Sequence, residues 1–192
     1  MITTIILALG MTLGNPSEGL ETYSVNISDS KITWEGKKVG GGHTGFINVQ
    51  NGQLQLEDGI IKGGSFTIDM ASITNEDLEG EYKGKLEGHL KSDDFFGVEN
   101  FPTATFQITK AVPQGSDMYK LEGDITIKGI TKSIKFPVSV SNEGENLNAS
   151  AEITIDRSEF DVRYGSGSFF DDLGDKVIYD NFTLNVNLVA SK

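Results

Sequence analysis

The chain has no cysteine, only four prolines, two histidines and one tryptophan among its 192 residues. Without cysteine there is no disulfide, no thiolate nucleophile and no thiol to acylate, and sulfur chemistry says nothing about compartment. With His43 and His89 as its imidazoles, the chain has almost nothing from which to build a Ser/His/Asp or Cys/His relay. Basic residues are also few: 16 Lys and Arg stand against 28 Asp and Glu, a formal net charge of −12. Nucleic acid and anionic membrane surfaces both require concentrated Lys and Arg, so neither is expected as a main partner. No apolar run is long enough to span a bilayer, so stable membrane insertion is not expected either.

Glycine is abundant, at 23 residues, which fits tight turns and close strand approaches better than a helical bundle. From residue 22 onward the hydrophobic pattern has period two. Ile32 and Trp34 share a face, as do Leu54 and Leu56, then Phe66, Ile68 and Met70. Leu121, Ile125 and Ile127 follow with Gly123 on the same side, then Ile134, Phe136, Val138 and Val140. Ala149, Ala151, Ile153 and Ile155 make another such segment, and Phe182, Leu184, Val186 and Leu188 the last. One apolar face and one wet face are the mark of antiparallel sheet. Asn51-Gly52, Asp58-Gly59, Gln114-Gly115, Lys128-Gly129 and Glu143-Gly144 read as turns between them. The expected fold is all-β: about eight antiparallel strands, several long enough to tilt into a barrel, in one domain over residues 21–192.

Residues 1–20 stand apart. Ile2 to Leu13 is an apolar run followed by small residues. It reads as an export signal whose basic start lies upstream of Met1, or else as a first strand or a disordered tail. Export would place the protein in a periplasm or outside the cell.

Two segments break the alternation. Leu78, Tyr82, Leu86 and Leu90 recur every four residues behind Thr74-Asn75-Glu76-Asp77, a sequence suited to a capping box. A helix crossing the barrel is therefore expected near residues 75–91. Gly80, Gly84 and Gly88 recur on its other side, where a neighbouring backbone is expected to pack closely, the alternative being that the helix is a mobile lid over a cavity mouth. The second segment, Arg157 to Tyr179, is too long for a hairpin turn, and such loops are commonly functional or mobile.

No catalytic or metal constellation emerges. His43 and His89 share no ligand spacing with each other or with an acidic pair. Asp171-Asp172-Leu173-Gly174-Asp175 lacks the alternating ligands and terminal Glu of a calcium loop. Asp93 and Asp94 are adjacent and point apart, and the glycines at 40, 41 and 42 precede no GK[ST]. His89 reads as a hydrogen-bonding residue at the helix end. The chain is not expected to be an enzyme or to hold a metal. The alternating faces could enclose either a filled core or a small-ligand cavity, and composition does not choose between them.

Gly88-His89-Leu90-Lys91-Ser92-Asp93-Asp94-Phe95-Phe96, continuing to Asn100-Phe101-Pro102-Thr103-Ala104-Thr105-Phe106, resembles the YceI-like family of lipocalin-like, polyisoprenoid-binding bacterial domains. Gly123-Asp124-Ile125-Thr126-Ile127-Lys128-Gly129-Ile130-Thr131-Lys132 and Arg157-Ser158-Glu159-Phe160 strengthen the likeness, which runs from about Tyr23 to Ala190. The resemblance implies an exported carrier whose barrel pore holds a long isoprenoid or similar fatty-acyl amphiphile, with no other cofactor. The chain of that ligand would lie along Trp34, Phe66, Ile68, Phe106, Ile108, Ile125, Ile127, Phe136 and Val138. Phe95, Phe96, Phe101, Tyr164, Phe169 and Phe170 would form the mouth, with His43, Arg157 and Arg163 meeting a polar head group. A homodimer is compatible with such a barrel. The rival expectation is a compact-cored periplasmic interaction module with no lipid.

Overall fold

The computed structural model describes residues 19–192; the apolar run Ile2–Leu13 lies outside the described residues. Nine strands and one α-helix follow in order: β1 (Leu20–Val25), β2 (Lys31–Lys38), β3 (Gly41–Glu57), β4 (Ile60–Asn75), α1 (Gly80–Lys91), β5 (Thr103–Gly115), β6 (Met118–Ile127), β7 (Ile130–Glu143), β8 (Asn146–Asp156) and β9 (Ile178–Ser191). All pairings are antiparallel, and the sheet closes into a barrel where β3 pairs with β4.

Nine strands fill eight barrel positions. β2 lies between the first half of β3 and β9, while β1 pairs with the second half of β3 and the last residues of β9. Both run in one direction along β3, so they form a single staves-width position interrupted at residues 26–30. There Ser30 Oγ donates to the Asn26 carbonyl at 2.7 Å.

The expected turn at Asn51-Gly52 does not form. Both residues lie inside β3, opposite Thr67 and Phe66, beside an irregularity between Val49 and Asn51. Asn-Gly is a strong local turn signal, but here glycine serves packing: a Cβ on Gly52 would sit 2.6 Å from Phe66 Cδ1. Irregularities of this kind bend a long strand and let the sheet coil. Lys128-Gly129 does turn as expected, with φ of 49° and 74°, the doubly positive pattern of a tight hairpin.

The helix is shorter than expected. Thr74 and Asn75 still belong to β4, and Glu79 is the N-cap residue without a side-chain capping bond. Of the four-residue apolar series, Leu90 is buried, Leu78 and Leu86 are half-buried, and Tyr82 is 75% exposed. The helix therefore grips the barrel by its last turn and by the following Phe95, Phe96 and Val98, all buried. Nor does any backbone pack on the glycine side: a Cβ at Gly84 or Gly88 meets nothing within 4 Å. Each interior glycine costs a helix about 1 kcal/mol relative to alanine. Gly84→Ala and Gly88→Ala should thus each stabilise the protein by about 0.5–1 kcal/mol in denaturant titrations. Destabilisation by either would mean that an unseen contact covers that face.

Two apolar clusters fill the two ends. Trp34, Met70, Leu90, Phe95, Phe96, Phe160 and Val162 gather at the helix end. Tyr23, Leu54, Ile61, Phe66, Leu121, Phe136 and Leu147 gather at the other.

Candidate functional site

The inward aromatics are laid against the wall rather than pointed across the lumen. A Cβ on Gly123 would come 2.4 Å from Phe106 Cζ, and one on Gly45 would come 2.9 Å from Trp34 Cε2. Gly52 and Gly123 are thus sockets that seat Phe66 and Phe106, whereas Gly45 is required first by the Thr74 carbonyl oxygen of β4, which would lie 1.8 Å from a Cβ there. Phe106 in turn stacks on Phe66 at 6.4 Å between centroids and tilts on Phe136 at 5.5 Å.

With its large rings seated this way, the barrel keeps a cavity of about 200 Å³ that touches residues of both end clusters. One water needs only ~10–15 Å³, and engineered apolar cavities of ~150 Å³ stay dry and take up benzene. All nine residues expected along the ligand chain line this cavity. Apart from the Trp34 indole, which donates to the Thr74 carbonyl at 3.0 Å, the polar lining side chains among the described residues are Ser150, Arg157 and Tyr179. A compact-cored module requires a filled interior, and this barrel is hollow.

Further wall residues were legible in the same alternation but were not singled out. Leu184, Val186 and Leu188 of β9 and Ala149, Ala151 and Ile153 of β8 also line the cavity.

The expected mouth divides in two. Phe95, Phe96 and Arg157 reach the cavity; His43, Phe101, Arg163, Tyr164, Phe169 and Phe170 are not among its lining residues. Phe101 instead covers Gly97 and Gly129. Phe169 and Phe170 are 39% and 49% exposed on the outside of the long loop, with the Arg163 guanidinium 5.0 Å over the Phe169 ring. Tyr164 stands against His89 at 4.3 Å between centroids. His89 makes no side-chain hydrogen bond at the helix end; its ring is wedged between Tyr164 and Phe95, and Nε2 has no partner among the described residues.

Arg157 does not sit at a solvent rim. Its side chain is 3% exposed, and its guanidinium holds the long loop onto β9. Nη1 donates to the Val162 carbonyl at 2.8 Å, Nη2 to Ile178 at 2.9 Å and Nε to Tyr179 at 3.3 Å. Asp180 Oδ1 lies 3.3 Å from Nη2, and the Phe95 ring lies 5.4 Å below the guanidinium. Burial pulls the Arg157 pKa below the ordinary arginine range, and Asp180 and Asp156 oppose that. The loop so held turns Phe160 and Val162 inward, 1% and 0% exposed, and closes the barrel at the helix end. The segment is a plug anchored to β9 through Arg157.

His43 lies outside, in a polar clasp between β3 and the β4–α1 connection. Its Nδ1 is 2.8 Å from Asp77 Oδ2, while Thr44 N–H and Asn75 Nδ2 donate to Asp77 Oδ1 at 2.8 and 2.6 Å. Burial pushes the Asp77 carboxyl up, but these donors outweigh it and bring its pKa from 3.8 down to about 2. The folded state thus favours the ionised form. That stabilisation is complete above the unfolded value and is lost as pH falls from about 3.8 to about 2. The stability advantage of the wild type over Asp77→Asn should shrink across that interval in acid titrations; parallel profiles would contradict the clasp.

A profile of the YceI-like domain matches residues 23–190. The chain belongs to the YceI-like family. Among curated relatives, a UPF0312 protein of Staphylococcus aureus (strain USA300) is 34% identical over 85 residues, 41% of this chain and 47% of its own length. The match thus spans about half of that relative. Solved structures share the YceI-like barrel. BcnA of Burkholderia cenocepacia has a TM-score of 0.66 at 24% identity, covering 87% of this chain and 99% of that one. A polyisoprenoid binding domain from Saccharophagus degradans has a TM-score of 0.64 at 13% identity, covering 88% and 97%. At these identities the likeness is one of fold.

Proposed function

We propose that this protein is a non-catalytic carrier, exported to a periplasm or beyond the cell, that holds a long-chain isoprenoid or similar amphiphile inside its barrel. The observation that carries this reading is the apolar cavity of about 200 Å³ behind glycine-seated aromatics. Family membership supports it, as does the polyisoprenoid-binding description of the Saccharophagus relative. Burial of a hydrocarbon tail supplies about 0.8 kcal/mol per methylene. Ten methylenes therefore yield roughly 8 kcal/mol before ordering costs, in the micromolar range. Titration with the apolar dye N-phenyl-1-naphthylamine tests the reading. Saturable fluorescence enhancement, reversed by geranylgeraniol, is the expected result. A dye signal that neither saturates nor yields to a long-chain competitor would overturn it.

A further inference from the structure

The barrel wall has a framed opening. β7 pairs with β8 only from Ser139↔Ser150 to Glu143↔Asn146. Below that point Ile130–Val138 continue to pair with β6, and Ala151–Asp156 with β9, but not with each other. The gap is bounded below where Lys128 Nζ donates to the Asp161 carbonyl at 3.2 Å. It is a window with closed ends, not a frayed terminus.

The cavity reaches this window. Of the residues in the unpaired stretch, Ile134, Phe136 and Val138 of β7 and Ala151 and Ile153 of β8 line it. They are the inward-facing alternates of their strands, so the cavity borders the gap from both sides. Half-buried Ile134, Ala151 and Ile153 flank the gap from within, and exposed Lys135, Glu152 and Thr154 flank it from outside. The ladder also stops short between β4 and β5 beyond Gly64↔Ile108. The second hollow in that region is of another kind, bordered by Ser116, Asp117 and Asn142.

Backbone N–H and C=O groups need hydrogen-bond partners, and along this window β7 and β8 offer them none from each other. The exposed outer flanks carry both signs of charge, with Lys135 on β7 and Glu152 on β8. We propose that the amphiphile enters tail-first through the β7/β8 window and leaves an uncharged hydrogen-bonding head group, a hydroxyl or carbonyl, against these strand edges. This rests on the carrier reading above and adds its route and head-group chemistry.

The absence of native cysteine makes the test clean. Lys135 and Thr154 each lie four positions beyond the last ladder pair, Ser139↔Ser150. A Lys135→Cys/Thr154→Cys protein joined by a short bis-maleimide closes the window. Stopped-flow exchange of geranylgeraniol carrying a dansyl group on its head is the readout. Crosslinking should slow uptake and release by at least about tenfold, while the uncrosslinked double variant exchanges like the wild type. Ala151→Trp, which narrows the inner edge without chemistry, should slow exchange in the same direction. Wild-type exchange rates in both the crosslinked protein and Ala151→Trp would overturn the window and leave the carrier standing. Failure of the wild type to bind the probe at all would end both.

Discussion

Arg157→Ala should cost the fold about 3–5 kcal/mol, the loss typical of removing one partner from a buried charged pair. The substitution strips donors from three backbone carbonyls, those of Val162, Ile178 and Tyr179, and leaves Asp180 without its counter-ion. Each buried acceptor left unpaired is worth about 1–3 kcal/mol. The effect should concentrate in the loop from Arg157 to Val177, which loses its tie to β9 and should become the first site of limited proteolysis. Arg157→Lys keeps the charge but not the planar fork, so it should recover only part of the loss. Denaturant unfolding followed by Trp34 fluorescence measures this. A loss below about 1 kcal/mol would show that the plug is held by Phe160 and Val162 alone.

Leu184→Trp should separate a hollow barrel from a filled one. Leu184 lines the cavity and lies opposite Trp34 in the β2–β9 ladder. In a packed core the larger ring would cost about 1–3 kcal/mol in strain. Here it has open space to enter, so stability should change by less than about 1 kcal/mol. The same ring displaces some four methylenes of a bound tail, roughly 3 kcal/mol or about a hundredfold in affinity. Wild-type stability with affinity lost to that degree is the expected pair of results. Strong destabilisation would point to a cavity that collapses in solution, and unchanged affinity to a tail lying elsewhere.

The barrel was legible because period-two alternation runs through nearly every strand and is strongly enforced wherever one face is buried. Trp34, Phe66 and Phe136 could be placed inward from that pattern alone. That they leave a void could not, because hollowness depends on where glycines fall across the ladder. Gly52 faces Phe66 only through a register that Asn51-Gly52 disguises as a turn. The helix boundaries slipped because Asn75 and Asp77 resemble caps yet bond across to Thr44 on β3. Arg157 and its loop misled for a related reason. A charged residue beside glycines and serines suggests a rim, and only tertiary structure supplies the three carbonyls that let it be buried. The β7/β8 window left no local trace at all, since each strand bordering it is fully paired on its other side.

The carrier reading stands or falls on the cavity being a ligand site. Mass spectrometry of the organic extract from protein purified out of its native host, without detergent, tests this most directly. One reproducible long-chain species with an uncharged polar end, near equimolar with protein, is the expected result. An empty extract from protein that also fails to take up geranylgeraniol would contradict it.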